Sequence, residues 1–238
     1  MDTQSNKPVA VVTGVGPGLG ASLARRFAQT YAVALLARKA DYLKALAREI
    51  RQSGATVLDF SCDVSDRAQL AEAFRAIRTG LGDPEVLLYN AGTATLGAIT
   101  EVAPEKYEAD WRINAYGAFV AAKEVAPGMI ARGRGAMLFT GATAGVKAGP
   151  RSVSFGPAKF AMRGLAQSLA RELSPRGIHV AHFVIDGGIR SDRRAPSADK
   201  PDALLDPDAI AQSYLHVLQQ PRSAWTFELE VRPWVENF

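Results

Sequence analysis

The sequence predicts an α/β protein built on a doubly wound, mostly parallel sheet of seven strands with helices on both faces. Three observations predict it. Short apolar runs recur at 8–13, 33–37, 56–60, 86–89, 136–140, 178–185 and 227–231, separated by stretches of helical period. The first run passes through the glycine-rich turn Thr13-Gly14-Val15-Gly16-Pro17-Gly18-Leu19-Gly20 directly into a helical pattern. The fourth run ends in Asn90-Ala91-Gly92, small residues that let a ligand approach the backbone where open α/β sheets bind their ligands. With 238 residues, 47% of them hydrophobic, the chain reads as a single domain over 1–238 with a large core.

Each element has its own signature. Pro8 to Thr13 is a β-branched run of strand length. Leu19, Leu23, Ala24, Phe27 and Ala28 then repeat at the spacing of one helix face. Strand, glycine turn and helix together form a pyrophosphate-binding unit, because glycines permit a tight turn and the helix N-terminus presents free N–H groups. The second strand ends in Arg38-Lys39 with no acidic residue; Asp41 already belongs to the next helix. An Arg at this point accommodates a ribose 2′-phosphate, where an acidic residue would bind a 2′-hydroxyl. Helices are expected at 41–52, ended by Gly54, and from about Asp66 to Arg78, capped by Ser65 or Asp66.

A long helical region spans 104–131, with Asn114 in its middle and more apolar residues than one stripe needs, as in a helix shared with a partner subunit. Further helices are expected at 158–173 and 209–218. Residues 190–206 are polar and Pro-rich and read as a loop or lid over a ligand site.

The bulk numbers exclude several classes. Net charge is +4, but the basic residues are scattered and no nucleic-acid motif is present, so no nucleic-acid partner is expected. The lone Cys62 lies in an apolar run and reads as a core thiol. His179 and His182 stand three apart in a strand and read as core or surface residues rather than a metal site. Met1 to Lys7 is polar and no run reaches membrane-spanning length, which predicts a cytoplasmic protein with no membrane partner.

These residues resemble the short-chain dehydrogenase/reductase family over almost the whole chain. Thr13-Gly14-x-x-x-Gly18-x-Gly20 is similar to that family's cofactor loop, and Tyr89-Asn90-Ala91-Gly92 to its Asn-Asn-Ala-Gly motif. The resemblance implies a Rossmann-type domain that takes NADP rather than NAD. It implies cofactor contacts from Gly14, Pro17, Gly18, Leu19, Gly20, Arg38, Lys39, Asp63, Val64, Asn90, Ala91, Gly92, Lys159, Gly187, Ile189 and Ser191. Asn114 and Lys159 match its active-site Asn and Lys, and Asp186-Gly187 resembles its Pro-Gly after the sixth strand. A small-molecule substrate and a homodimer or homotetramer are implied as well.

Two departures fall on the chemistry. The family's proton-handling Tyr stands four residues before the Lys, and here that residue is Phe155. The family's Ser stands about a dozen residues earlier, and here Ala142 is there. Neither side chain can give or take a proton. Thr140, Thr143 and Ser154 are the nearby hydroxyls. The expected activity is therefore hydride transfer to or from a small carbonyl, alcohol or enone with a non-standard proton donor; the alternative is a degenerate NADP-binding sensor or partner subunit.

Overall fold

The computed structural model describes residues 7–236, so most of the polar Met1–Lys7 segment lies outside the described residues. Seven parallel strands form one sheet: β1 (Val9–Thr13), β2 (Ala32–Ala37), β3 (Val57–Ser61), β4 (Pro84–Tyr89), β5 (Gly135–Thr140), β6 (Ile178–Ile185) and, at its far edge, β9 (Glu228–Val231). Their order is β3-β2-β1-β4-β5-β6-β9. The winding reverses between β1 and β4, which opens a crevice at the carboxyl ends of those two strands.

Both faces of the sheet are covered, so the inner strands are continuously apolar rather than alternating. Val9 and Val11 of β1 pack toward α3 (Arg67–Gly80), α5 (Gly117–Arg132) and α6 (Phe155–Leu173). Ala10 and Val12 pack toward α1 (Leu19–Ala28), α2 (Ala40–Gln52) and α7 (Pro207–Leu218). Of the two expected caps of α3, Asp66 performs the role, accepting from the Ala68 and Gln69 amides. Cys62 is buried, as the sequence suggested, and burial pushes its thiol up to about 11; His179 and His182, for which the sequence left core and surface open, are buried too.

Beyond shifts of one or two residues at element ends, three features differ from the sequence reading. The helix expected over 104–131 is α4 (Pro104–Trp111), a π-helical segment (Arg112–Tyr116) and then α5. Within it the Gly117 amide bonds back to Arg112 O, which frees the Ile113 carbonyl; the buried Tyr89 hydroxyl donates to that carbonyl at 2.6 Å. Such bulges cluster at functional sites. Next, α6 begins at Phe155, not Ala158. Pro157 is tolerated because it falls in the first turn, where its missing N–H would have no intrahelical partner. Last, the 190–206 loop is pinned at its base, where β7 (Gly188–Ile189) pairs with β8 (Leu204–Leu205). Trp234 ties it to the C-terminal segment through Asp202, at 3.0 Å.

Candidate active site

The crevice is assembled from backbone. A Cβ on Gly14, whose φ is +68°, would lie 2.4 Å from Ala91 Cα, and one on Gly20 would lie 2.6 Å from Gly14 O. The loops after β1 and β4 thus touch with no room for side chains. Polar pairs fix their shape. Thr13 Oγ1 accepts from the Asn90 and Ala91 amides, and Asn90 Nδ2 donates to Gly14 O at 3.1 Å. Behind Asn90, Thr140 Oγ1 donates to Asn90 Oδ1 at 3.2 Å and lies 2.8 Å from the buried Tyr214 hydroxyl.

A groove of about 600 Å³ follows. Gly14, Pro17, Arg38, Lys39, Asp63, Val64, Asn90, Ala91 and Gly92 line it. Neither cation forms an ion pair among the described residues. Leu19 and Gly20 open α1, whose cap Gly18 offers no side chain and whose first turn holds no acid. That helix end is an open anion site. A groove lined by the glycine loop and by two cations without ion-pair partners suits the anionic phosphates of a nicotinamide dinucleotide. Asp63 Oδ1 accepts from the Ser65 amide and hydroxyl, which holds the turn beside the groove.

Beyond Gly92 the groove widens into a pocket of about 1050 Å³. Ala142, Thr143, Phe155, Lys159, Gly187, Ile189 and Ser191 line it, and Ser191 lies over the glycine loop, 3.3 Å from where a Gly18 Cβ would be. Lys159 is buried and its Nζ donates to Thr140 O at 2.8 Å, with the Phe155 ring centroid 5.7 Å away. Desolvation pulls its ammonium down to about 8. Asn114, on the π segment, donates from Nδ2 to Thr93 O and Asp110 O, while its buried Oδ1 has no protein partner. A Cβ on Gly92 would meet both Asn114 Oδ1, at 3.1 Å, and Lys159 Nζ, at 3.4 Å, so the two polar atoms converge on one point beneath Gly92.

The three nearby hydroxyls separate clearly. Ser154 Oγ is buried and donates to Asp110 Oδ2 at 2.7 Å, tying α4 to the start of α6. Thr140 is spent on Asn90 and Tyr214. Thr143 lines the pocket, and its hydroxyl donates to Asp186 Oδ1.

Sequence reasoning missed the supports: Asp110, Tyr214 and the Tyr89 hydroxyl. It also missed why residue 141 is small. A Cβ on Gly141 would lie 2.2 Å from His182 Nε2, beneath the strand end. His182 is held by Glu228, which Arg163 grips with two hydrogen bonds of 2.7 and 2.8 Å. Those bonds hold the Glu228 carboxyl below its usual range, and burial keeps His182 below its own.

Comparison with known proteins agrees with this architecture. Residues 8–202 match the short chain dehydrogenase family model, and the chain belongs to that family. It is 30% identical over 236 residues to glycine betaine reductase ATRR of Emericella nidulans, covering 94% of this chain but only 18% of that much longer protein. Among solved structures it resembles a short-chain dehydrogenase from Rhodopseudomonas palustris at 34% identity and TM-score 0.84, over 96% of this chain and 99% of the other. It also resembles a metagenomic short-chain oxidoreductase in complex with NADP, at 27% identity and TM-score 0.84, over 96% and 98% of the two chains. Among the described residues, no helix is long and apolar enough to cross a membrane.

Proposed function

We propose that the protein is an NADP-dependent oxidoreductase that moves a hydride to or from a small carbonyl, alcohol or enone. The observation that carries this reading is the continuity of the cleft: Gly92 lines both the groove that holds the glycine loop, Arg38 and Asp63 and the pocket where Lys159 Nζ and Asn114 Oδ1 converge. When bound, the nicotinamide supplies the hydride chemistry. The chain supplies everything else. The glycine loop and α1 receive the diphosphate, and Lys159 directs a positive charge at the nicotinamide ribose. Asn114 Oδ1, otherwise unpartnered, holds a water beside that ammonium. Gly187, Ile189 and Ser191 border the nicotinamide end, and the loop 190–206 acts as the lid that excludes water from it.

Arg38 and Lys39 favour NADP over NAD, in keeping with the NADP held by the metagenomic relative. Arg38→Ala should weaken NADP binding by at least tenfold more than NAD binding; equal losses would overturn the assignment. Exposed Tyr107, Trp111 and Phe119 on α4 and α5, with Phe160 on α6, support a homodimer or homotetramer formed across these helices.

Phe155 and Ala142 favour a second reading, a nucleotide-binding sensor or partner subunit with no turnover. Incubation with NADPH and a broad carbonyl and enone panel separates the two. Sustained oxidation of the cofactor with any substrate supports the enzyme, and tight binding without oxidation supports the sensor.

A further inference from the structure

Resting on the oxidoreductase reading, we propose that Thr143 and Asp186 form the proton-transfer couple of this site, in place of the phenol and hydroxyl that Phe155 and Ala142 do not provide. Thr143 lines the pocket on the wall that also carries Ala142, and Ile185 and Gly187 bring the end of β6 to the same wall. The Thr143 proton is committed to Asp186 Oδ1 and, more weakly, to Ile185 O at 3.4 Å. Its oxygen lone pairs are therefore the part left to receive an incoming hydroxyl.

Asp186 is only 7% exposed. Its amide donates to Val231 O at 2.9 Å, a bond that the proline of the family's Pro-Gly pair could not make. Its Oδ2 faces the Arg232 guanidinium at 3.8 Å, so one carboxylate oxygen meets a cation and the other meets the hydroxyl. A nearly buried carboxylate aimed at a pocket hydroxyl is the arrangement by which a base activates an alcohol. Ser154 makes a similar bond to Asp110 but does not line the pocket, and the Thr140 hydroxyl is shared between Asn90 and Tyr214 with no carboxylate beside it.

The substrate alcohol O–H passes its proton to Thr143 Oγ1 while the Thr143 proton moves to Asp186 Oδ1. The carbinol C–H bond breaks with its electron pair leaving as hydride to the oxidised nicotinamide, and the C=O bond forms. Asp186 then returns one proton to solvent. In reduction the same path runs backward, from protonated Asp186 through Thr143 to the carbonyl oxygen.

The test has two arms. In the free protein, infrared difference spectra of wild type against Asp186→Asn identify the Asp186 carboxylate band. That band should shift in Thr143→Val; an unchanged band overturns the contact whatever the activity. In turnover with NADP and a panel of 2-butanol, cyclohexanol and 1,2-cyclohexanediol, Thr143→Val and Asp186→Asn should each lower kcat by about 10²–10⁴-fold. The nucleotide Kd, read by fluorescence, should change less than threefold. Thr143→Ser should recover most of the rate, and the double variant should lose little beyond either single one, as for groups acting as a unit. Wild-type turnover that persists in both single variants overturns the couple and leaves the oxidoreductase reading standing. A wild-type protein inert on this panel and on the carbonyl and enone panel overturns that reading, and the couple with it.

Discussion

Lys159→Met is the substitution whose consequences the structure sets most tightly. The ammonium is buried against Thr140 O and Phe155, and burial lowers it from 10.5 to about 8. At about 1.4 kcal/mol per pKa unit, carrying that charge inside costs the fold about 3 kcal/mol at pH 7. Leaving Thr140 O without that donor returns about 1–3 kcal/mol of this. Methionine, of similar length, should therefore stabilise the protein by up to about 2 kcal/mol, or up to about 8 °C in Tm for a chain of this size. The pH dependence fixes the cause. The unfolded Lys keeps its proton until about 10.5, whereas the folded one releases it near 8. Between those values the unfolded state binds more protons, so the Lys159 contribution to stability rises with pH. The advantage of the Met variant should accordingly shrink above pH 8 and disappear toward pH 10.5, while NADPH affinity falls at every pH. Thermal unfolding of both proteins from pH 7 to 10.5, paired with fluorescence titration of NADPH, measures all of this. A lower Tm for Lys159→Met at pH 7, or an advantage unchanged across the range, would refute the reasoning.

Four other outcomes follow from particular contacts. Tyr89→Phe leaves the Ile113 carbonyl at the π segment without its donor and should cost about 1–3 kcal/mol in denaturant unfolding. Gly14→Ala, at φ +68° and against Ala91 Cα, should abolish NADPH binding or prevent folding; normal binding would contradict the close packing of the two loops. Phe155→Tyr with Ala142→Ser should raise carbonyl reductase activity by restoring a hydroxyl pair beside Lys159, whereas adding Gly141→Ser should destabilise the protein, because the new Cβ overlaps His182. Cys62, buried with its thiol raised to about 11, should resist thiol-directed reagents at pH 8 in the native protein and react on unfolding.

What the sequence made legible was whatever depends on local pattern. Continuous apolar runs of strand length gave the sheet, because a parallel sheet covered on both faces leaves no polar alternation to confuse. The glycine loop and Arg38-Lys39 could be read because their roles follow from backbone freedom and charge at a strand end. What stayed hidden depends on contacts between distant residues. Thr143 reads as one more loop hydroxyl until β6 brings Asp186 beside it. Tyr89 reads as a substituted Asn until its hydroxyl is seen to serve the carbonyl freed within the π segment. That bulge had one local trace, Asn114 in a helix interior, but its geometry depends on the Arg112–Gly117 bond and the packing of Tyr89. The start of α6 was misplaced because Gly156-Pro157 looks like a break, although proline in a first helical turn costs no hydrogen bond.

The central claim is that this cleft transfers hydride although no phenol faces the nicotinamide. Its most direct test is isotopic. The protein is incubated with NADPH carrying deuterium at nicotinamide C4, in both stereochemical forms, together with the carbonyl and enone panel, and the products are read by mass spectrometry. The account predicts deuterium at the former carbonyl carbon, or at the enone β-carbon, from one of the two forms only. NADPH that binds tightly yet passes deuterium to no product would contradict it.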